Sequence, residues 1–181
     1  MEIYKEKFTS LEREILRFLF VYAGQGFNQR QIALGLDVSS TAIANSICKL
    51  EKENLIKLLR KEGDNRILIE LNKDNSAIFH MKRVENLRNI YESGLIDFLS
   101  EKLGLSTIIL FGSYSLGEDI LNSDIDIAII GAKEKKIELK QFEEKLKRDI
   151  NLNFYNSLNI IETNLKSNIL NGITLKGGVQ I

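Results

Sequence analysis

Two short stretches of this 181-residue chain carry residue types suited to phosphate chemistry, and they lie close together. The first is Gly112-Ser113, at the end of the apolar run from Thr107 to Phe111. The second is Asp124-Ile125-Asp126, separated from Ser113 by ten residues and leading into the apolar run Ile127 to Ile130. Gly112 has no Cβ, so the backbone there can approach a phosphate closely. Ser113 offers a hydroxyl and an amide to phosphate oxygens where a helix would begin. Both apolar runs read as short buried strands. On a strand, Asp124 and Asp126 are two apart and therefore face the same side. Two like charges held together beside an apolar run destabilise the fold unless a cation offsets them. Mg²⁺ (or Mn²⁺) suits that role, because it takes one or two carboxylates together with substrate phosphates. Gly-Ser alone is a turn and Asp-x-Asp alone is common on exposed loops. The pair at this spacing, between apolar strands, is much harder to reach by chance.

The stretch Leu110-Phe111-Gly112-Ser113-Tyr114-Ser115-Leu116-Gly117, continuing to Ser123-Asp124-Ile125-Asp126-Ile127, resembles the DNA-polymerase-β-like nucleotidyltransferases, particularly the minimal ones. The resemblance implies metal-dependent transfer of a nucleotide from NTP to an acceptor hydroxyl, with release of pyrophosphate. Asp124 and Asp126 are then the catalytic, metal-holding carboxylates, and Gly112 and Ser113 bind the triphosphate. Two ions in such a site can clamp the attacking and leaving oxygens.

The resemblance also implies a third carboxylate on a later strand and an arginine just before the second glycine. Residues 150–155 alternate as a strand, with Ile150, Leu152 and Phe154 on one face and Asn151, Asn153 and Tyr155 on the other. The polar face therefore offers Asn151 where an aspartate is expected. Asp149 shares its parity but lies roughly 6.5 Å further back along the strand. Neutral Asn can ligate through its carbonyl, yet it cannot act as a base. Leu116 stands at the arginine position. These departures keep a second reading open, a nucleotide-sensing transcriptional regulator with a weakened site. A third is an antitoxin-like partner, since minimal nucleotidyltransferases often pair with a separate helical protein.

Around the motifs the pattern predicts an α+β chain: an N-terminal winged helix, then a small mixed sheet with flanking helices. Thr9 and Glu12 have capping-box spacing ahead of Leu11, Ile15, Phe18, Leu19 and Tyr22, so 10–24 reads as a helix. Asn28 with Gln31 starts a second helix, and Phe27 is placed to staple onto Ile32. Ser39 or Ser40 starts a third, with Ile43, Ile47 and Leu50 inward and Asn54 as a left-handed stop. Residues 56–60 and 66–72 read as a hairpin about Glu62-Gly63-Asp64-Asn65.

That order resembles the winged helix-turn-helix family, in which the third helix enters the major groove and the wing touches phosphate. The resemblance implies duplex DNA contact through an outward stripe of Thr41, Asn45 and Lys49, with Arg66 on the wing. The competing reading is a solvated polar face serving structure or protein contacts.

We expect the winged helix over 1–73, a connector helix over 74–94 suited to a homodimer contact, and the nucleotidyltransferase domain over 95–181. Ile78, Val84, Leu87 and Tyr91 can share one connector face, while Lys82, Arg83, Glu85 and Arg88 read as solvated. His80, the one histidine, has no nearby partner set for catalysis. Lys+Arg and Asp+Glu both total 25, so any nucleic-acid contact must come from a local patch. The single cysteine, Cys48, excludes an internal disulfide and a four-cysteine zinc site. With no signal core or membrane-length apolar run, a cytoplasmic protein without membrane contact is expected.

Overall fold

A computed structural model of the chain describes residues 7–60 and 66–178. The expected wing turn at 62–65 lies outside them. The chain divides into two compact units, Met1–Ile78 and Phe79–Ile181.

The first unit is a winged helix built on three side-chain caps. Helix α1 (Ser10–Val21) starts on a full capping box: Glu12 N donates to Thr9 Oγ1 at 3.3 Å, and Thr9 N donates to Glu12 Oε2 at 2.9 Å. Asn28 and Gln31 form the same box at α2 (Gln29–Gly35), and Ser39 caps α3 (Ser40–Lys52). Asn54, just past α3, takes the left-handed conformation at φ 57°. Strands β1 (Ile56–Arg60) and β2 (Ile67–Leu71) pair antiparallel, and Phe27 adds a bridge to Ile69. Ile15, Leu19, Ile32, Ile43, Leu50 and Ile69 close the core.

Among the described residues of this unit, one charged side chain is buried. Glu12 is buried, and its carboxylate accepts from Lys49 Nζ at 2.9 Å. Burial pushes its pKa up. The Lys49 and Thr9 hydrogen bonds and the Lys49 charge outweigh burial and hold it below the usual carboxylate range.

The second unit opens with most of α4 (Ser76–Glu92), followed by α5 (Leu95–Leu103), β3 (Thr107–Phe111), α6 (Gly112–Leu116) and β4 (Ile125–Ile130). Then come α7 (Lys140–Leu146), β5 (Ile150–Tyr155), α8 (Thr163–Leu170) and β6 (Ile173–Lys176). The sheet order is β5-β4-β3-β6, parallel between β4 and β5 and antiparallel elsewhere. Strand alternation divides the core. Ile125, Ile127 and Ile129 pack with Ile108, Leu110, Leu99 and Phe142 on one face. Ala128 packs with Ile109, Phe111 and Ile169 on the other. No described helix is long and apolar enough to cross a membrane.

The 74–94 segment differs from expectation. Its inward stripe is Ile78, Lys82, Asn86 and Ile90, spaced by four, while Val84 and Tyr91 are exposed. From Phe79 onward the helix belongs to the second unit because a buried acid draws its polar residues inward. Asp119 is buried and paired with Lys82, also buried. It further accepts from Asn86 Nδ2 at 2.7 Å and from an Arg148 guanidinium nitrogen at 3.2 Å. Lys82, expected on a solvated face, is 2% exposed. His80 lies on the surface.

Two outcomes follow from these buried charges. Lys49→Met should cost the first unit about 1–3 kcal/mol at neutral pH, since it strips a partner from a buried carboxylate. Glu12 has a lowered folded pKa, so its contribution is present above the ordinary carboxylate range and fades as pH falls through the folded value. Urea unfolding at neutral and acid pH should therefore show the Lys49→Met penalty shrinking on acidification, and a pH-independent penalty would refute the pairing. Asp119→Ala strips the carboxylate from two buried cations, so it should cost the second unit about 3–5 kcal/mol in the same assay. A loss below roughly 0.5 kcal/mol, ordinary for a surface change, would contradict the buried network.

Candidate functional site

Sheet register assembles the site. In the antiparallel pair Phe111 lies opposite Asp126, and in the parallel pair Asp126 lies opposite Asn151. The end of β3 and the starts of β4 and β5 therefore meet at one end of the sheet. Asp124 and Asp126 continue the Ala128 face of β4 beyond its apolar part, with Asp126 half-buried and Asp124 exposed.

Gly112 turns the chain from β3 into α6 at φ 73°, a region that favours glycine. A Cβ there would stand 2.7 Å from Asp126 Oδ2, so the Gly112 turn and the Asp126 carboxylate lie directly side by side. Ser113 follows on the first turn of α6, half-buried beside them. Gly117 ends α6 at φ 78°, and a Cβ there would strike the carbonyl of Phe79 in α4. Asn86 Nδ2 also donates to the Tyr114 carbonyl at 2.9 Å. Burial, helped by the Asp119 charge, holds the Tyr114 hydroxyl well above the usual phenol range. The turn is thus fixed from behind by α4 and Asp119.

Asn151 projects into the site from the face the strand alternation assigned to it. Its Nδ2 donates to Asp124 Oδ2 at 3.0 Å and reaches Asp126 Oδ1 at 3.5 Å. Asp149 is held one residue before β5, where its carbonyl accepts from Ile125 N at 2.8 Å. No group of three or more His, Cys, Asp or Glu side chains suited to a metal occurs among the described residues. The oxygen donors there are the Asp124 and Asp126 carboxylates, beside a turn that favours glycine, while the Asn151 carboxamide presents its nitrogen to both. That set suits a hard divalent cation shared with phosphate oxygens.

A groove of about 490 Å³ opens on the β5 side of the acid pair, lined by Ser123, Asp124, Lys140, Lys147, Arg148 and Asp149 among others. Leu116 is partly exposed at the surface of α6.

On the winged helix, Thr41 and Asn45 are exposed on α3, and Arg66 is exposed just before β2. Lys49 departs from the expected outward stripe, since its amine is bound to Glu12 and to the Lys7 carbonyl at 3.1 Å. The reason is geometric: each step of four residues turns the helix about 40°, so Lys49 lies about 80° round from Thr41. The exposed stripe is Thr41, Asn45, Cys48 and Lys52.

The supporting residues Lys82, Asn86, Asp119 and Arg148 were not among the sequence candidates. The one signal for Lys82 and Asn86 is the four-residue spacing of Ile78, Lys82, Asn86 and Ile90, which sets two polar residues between two apolar ones.

Residues 93–179 match the family model described as "Polymerase beta, Nucleotidyltransferase". No curated protein matches the chain significantly. Solved structures that match include a mutant of ZitR from Lactococcus lactis, at 24% identity and TM-score 0.40 over 56% of this chain and 66% of that one. A mutant of MepR from S. aureus matches at 23% identity and TM-score 0.37, over 51% of this chain and 64% of that one. The PcaV transcriptional regulator from Streptomyces coelicolor matches at 18% identity and TM-score 0.38, over 54% of this chain and 75% of that one. This chain thus spans about two thirds of the length of the first two. At such scores the winged-helix assignment rests on the element order and strand pairing described above. The second unit of this chain is a nucleotidyltransferase domain of the polymerase-β type, joined to a winged helix.

Proposed function

We propose that the second unit binds a nucleoside triphosphate with Mg²⁺ or Mn²⁺ and transfers its nucleotide slowly to an acceptor hydroxyl. The observation that supports this is the convergence of Asp124 and Asp126 beside Gly112, close enough for one nitrogen to reach both carboxylates. Gly112 and Ser113 hold the phosphates, whose oxygens approach where no Cβ intervenes. A divalent cation at the acid pair would neutralise charge building on the transferring phosphoryl group and the departing pyrophosphate. The groove that Asp124 lines together with Ser123, Lys147 and Asp149 supports an acceptor that enters beside the acid pair. That oxygen bonds to the α-phosphorus as the bond to the β-phosphate oxygen breaks, and pyrophosphate leaves. Asn151 cannot take the acceptor's proton. The proton goes to solvent, which forgoes a general-base contribution of about 10²–10⁴-fold.

Asn151 and Leu116 favour a second reading, in which the domain senses nucleotide and the winged helix acts as a regulator, alone or with a separate helical protein. In either reading the first unit contacts duplex DNA through Thr41, Asn45 and the wing residue Arg66. Lys49 is not part of that surface, because Glu12 engages it.

Labelled NTP tests the first reading. Binding should require Mg²⁺ or Mn²⁺ and disappear in the Asp124→Asn, Asp126→Asn double mutant. With metal saturating, Asn151→Asp should raise transfer to a hydroxyl acceptor by about tenfold or more at similar NTP affinity. Binding that ignores both metal and the double mutation rejects the reading. For DNA, Arg66→Ala should weaken binding to all duplexes alike and lower the salt slope by about one, whereas Asn45→Ala should relax base preference. No binding to any duplex at low salt would exclude the DNA role.

A further inference from the structure

The aspartate pair has no protein cation within its described hydrogen bonds, yet it is not left as two bare like charges. An ionised carboxylate only accepts hydrogen bonds, so a carboxamide facing two of them must present its NH₂ rather than its carbonyl. Asn151 does so, with one nitrogen 3.0 Å from Asp124 Oδ2 and 3.5 Å from Asp126 Oδ1. The position is enforced from the backbone, because parallel pairing sets Asn151 beside Asp126. That nitrogen occupies the side of the two carboxylates from which a cation shared by both would approach. An amide N–H donor and a cation cannot both take up the same carboxylate oxygens there.

We propose that Asn151 is the counter-group of Asp124 and Asp126 in the metal-free protein, and that a divalent cation binds only by displacing its amide. This rests on the metal-site reading above and adds to it. The substitution does more than remove a base. It gives the acid pair an internal partner, so the empty site is stable and the metal must compete for it. An aspartate at 151 does the reverse: it adds a third like charge to the empty site and a third ligand to the filled one. Metal affinity and metal-free stability therefore move in opposite directions at this position.

The test uses the full chain, with thermal unfolding in EDTA and Mn²⁺ titration followed by electron paramagnetic resonance. In EDTA, Asn151→Ala should melt on the order of 5 °C below wild type, and Asn151→Asp lower still. Asn151→Ala should nevertheless bind Mn²⁺ at least as tightly as wild type, because its competitor is gone. Asn151→Asp should bind at least tenfold more tightly. Two results overturn the proposal while leaving the metal site in place. One is Asn151→Ala melting as wild type in EDTA. The other is weaker Mn²⁺ binding by Asn151→Ala, which would make the amide carbonyl a ligand rather than the nitrogen a rival. Absence of Mn²⁺ binding in all three forms overturns the metal reading itself and the competition with it, and the EDTA melts tell this case from the other two.

Discussion

A carboxylate buried away from water must be met by donors, and in the second unit the donors that meet Asp119 come from distant parts of the chain. Lys82 and Asn86 reach it from α4, and Arg148 from the residue pair just before β5. Asp119 itself lies only a few residues past the phosphate turn. The helix before the sheet, the connection out of α6 and the approach to β5 are thereby tied to one atom group. Asn86 also holds the Tyr114 carbonyl, and Gly117 lets α6 end against the backbone of α4. The exposed residues of the site can be few and small because the residues behind them are so tightly bound.

In front of that scaffold, the chemistry depends on parity. A strand turns alternate side chains to opposite faces, so Asp124 and Asp126 share a face with Ala128, while Ile125 and Ile127 fill the other core. Parallel pairing then puts Asn151 beside Asp126. A two-residue slip of β5 would bring Asp149 there instead. The backbone bond from Ile125 N to the Asp149 carbonyl holds the register that keeps it away.

Much of this was readable from residue order. The caps at Thr9, Asn28 and Ser39, the strands at 107–111, 125–130 and 150–155, and the facing of Asn151 all depend on spacing within a few residues. Such spacing is a property of the local chain. The inward turn of Lys82 was not readable, since nothing near it in sequence announces Asp119, thirty-seven residues on. Lys49 failed for a different reason: a stripe drawn every four residues drifts around the helix, and Glu12 lay where the drift ended. Gly112-Ser113 and the acid pair stood out in the sequence because packing alone would not choose those residue types.

The strand order β5-β4-β3-β6 has a consequence for synthesis. Strands β3 and β4 form a local antiparallel pair, but the other neighbour of β3 is β6, made some sixty residues later as the last strand of the sheet. Until β6 arrives, β3 is an edge, and its apolar run Ile108–Leu110 carries unpaired backbone groups of the kind that recruit strands from other molecules. The winged helix has its contacts close in sequence and can be complete by then. A nascent chain thus passes through an interval in which one end is finished and the other displays an open sheet edge, the stage at which chaperone protection is worth most.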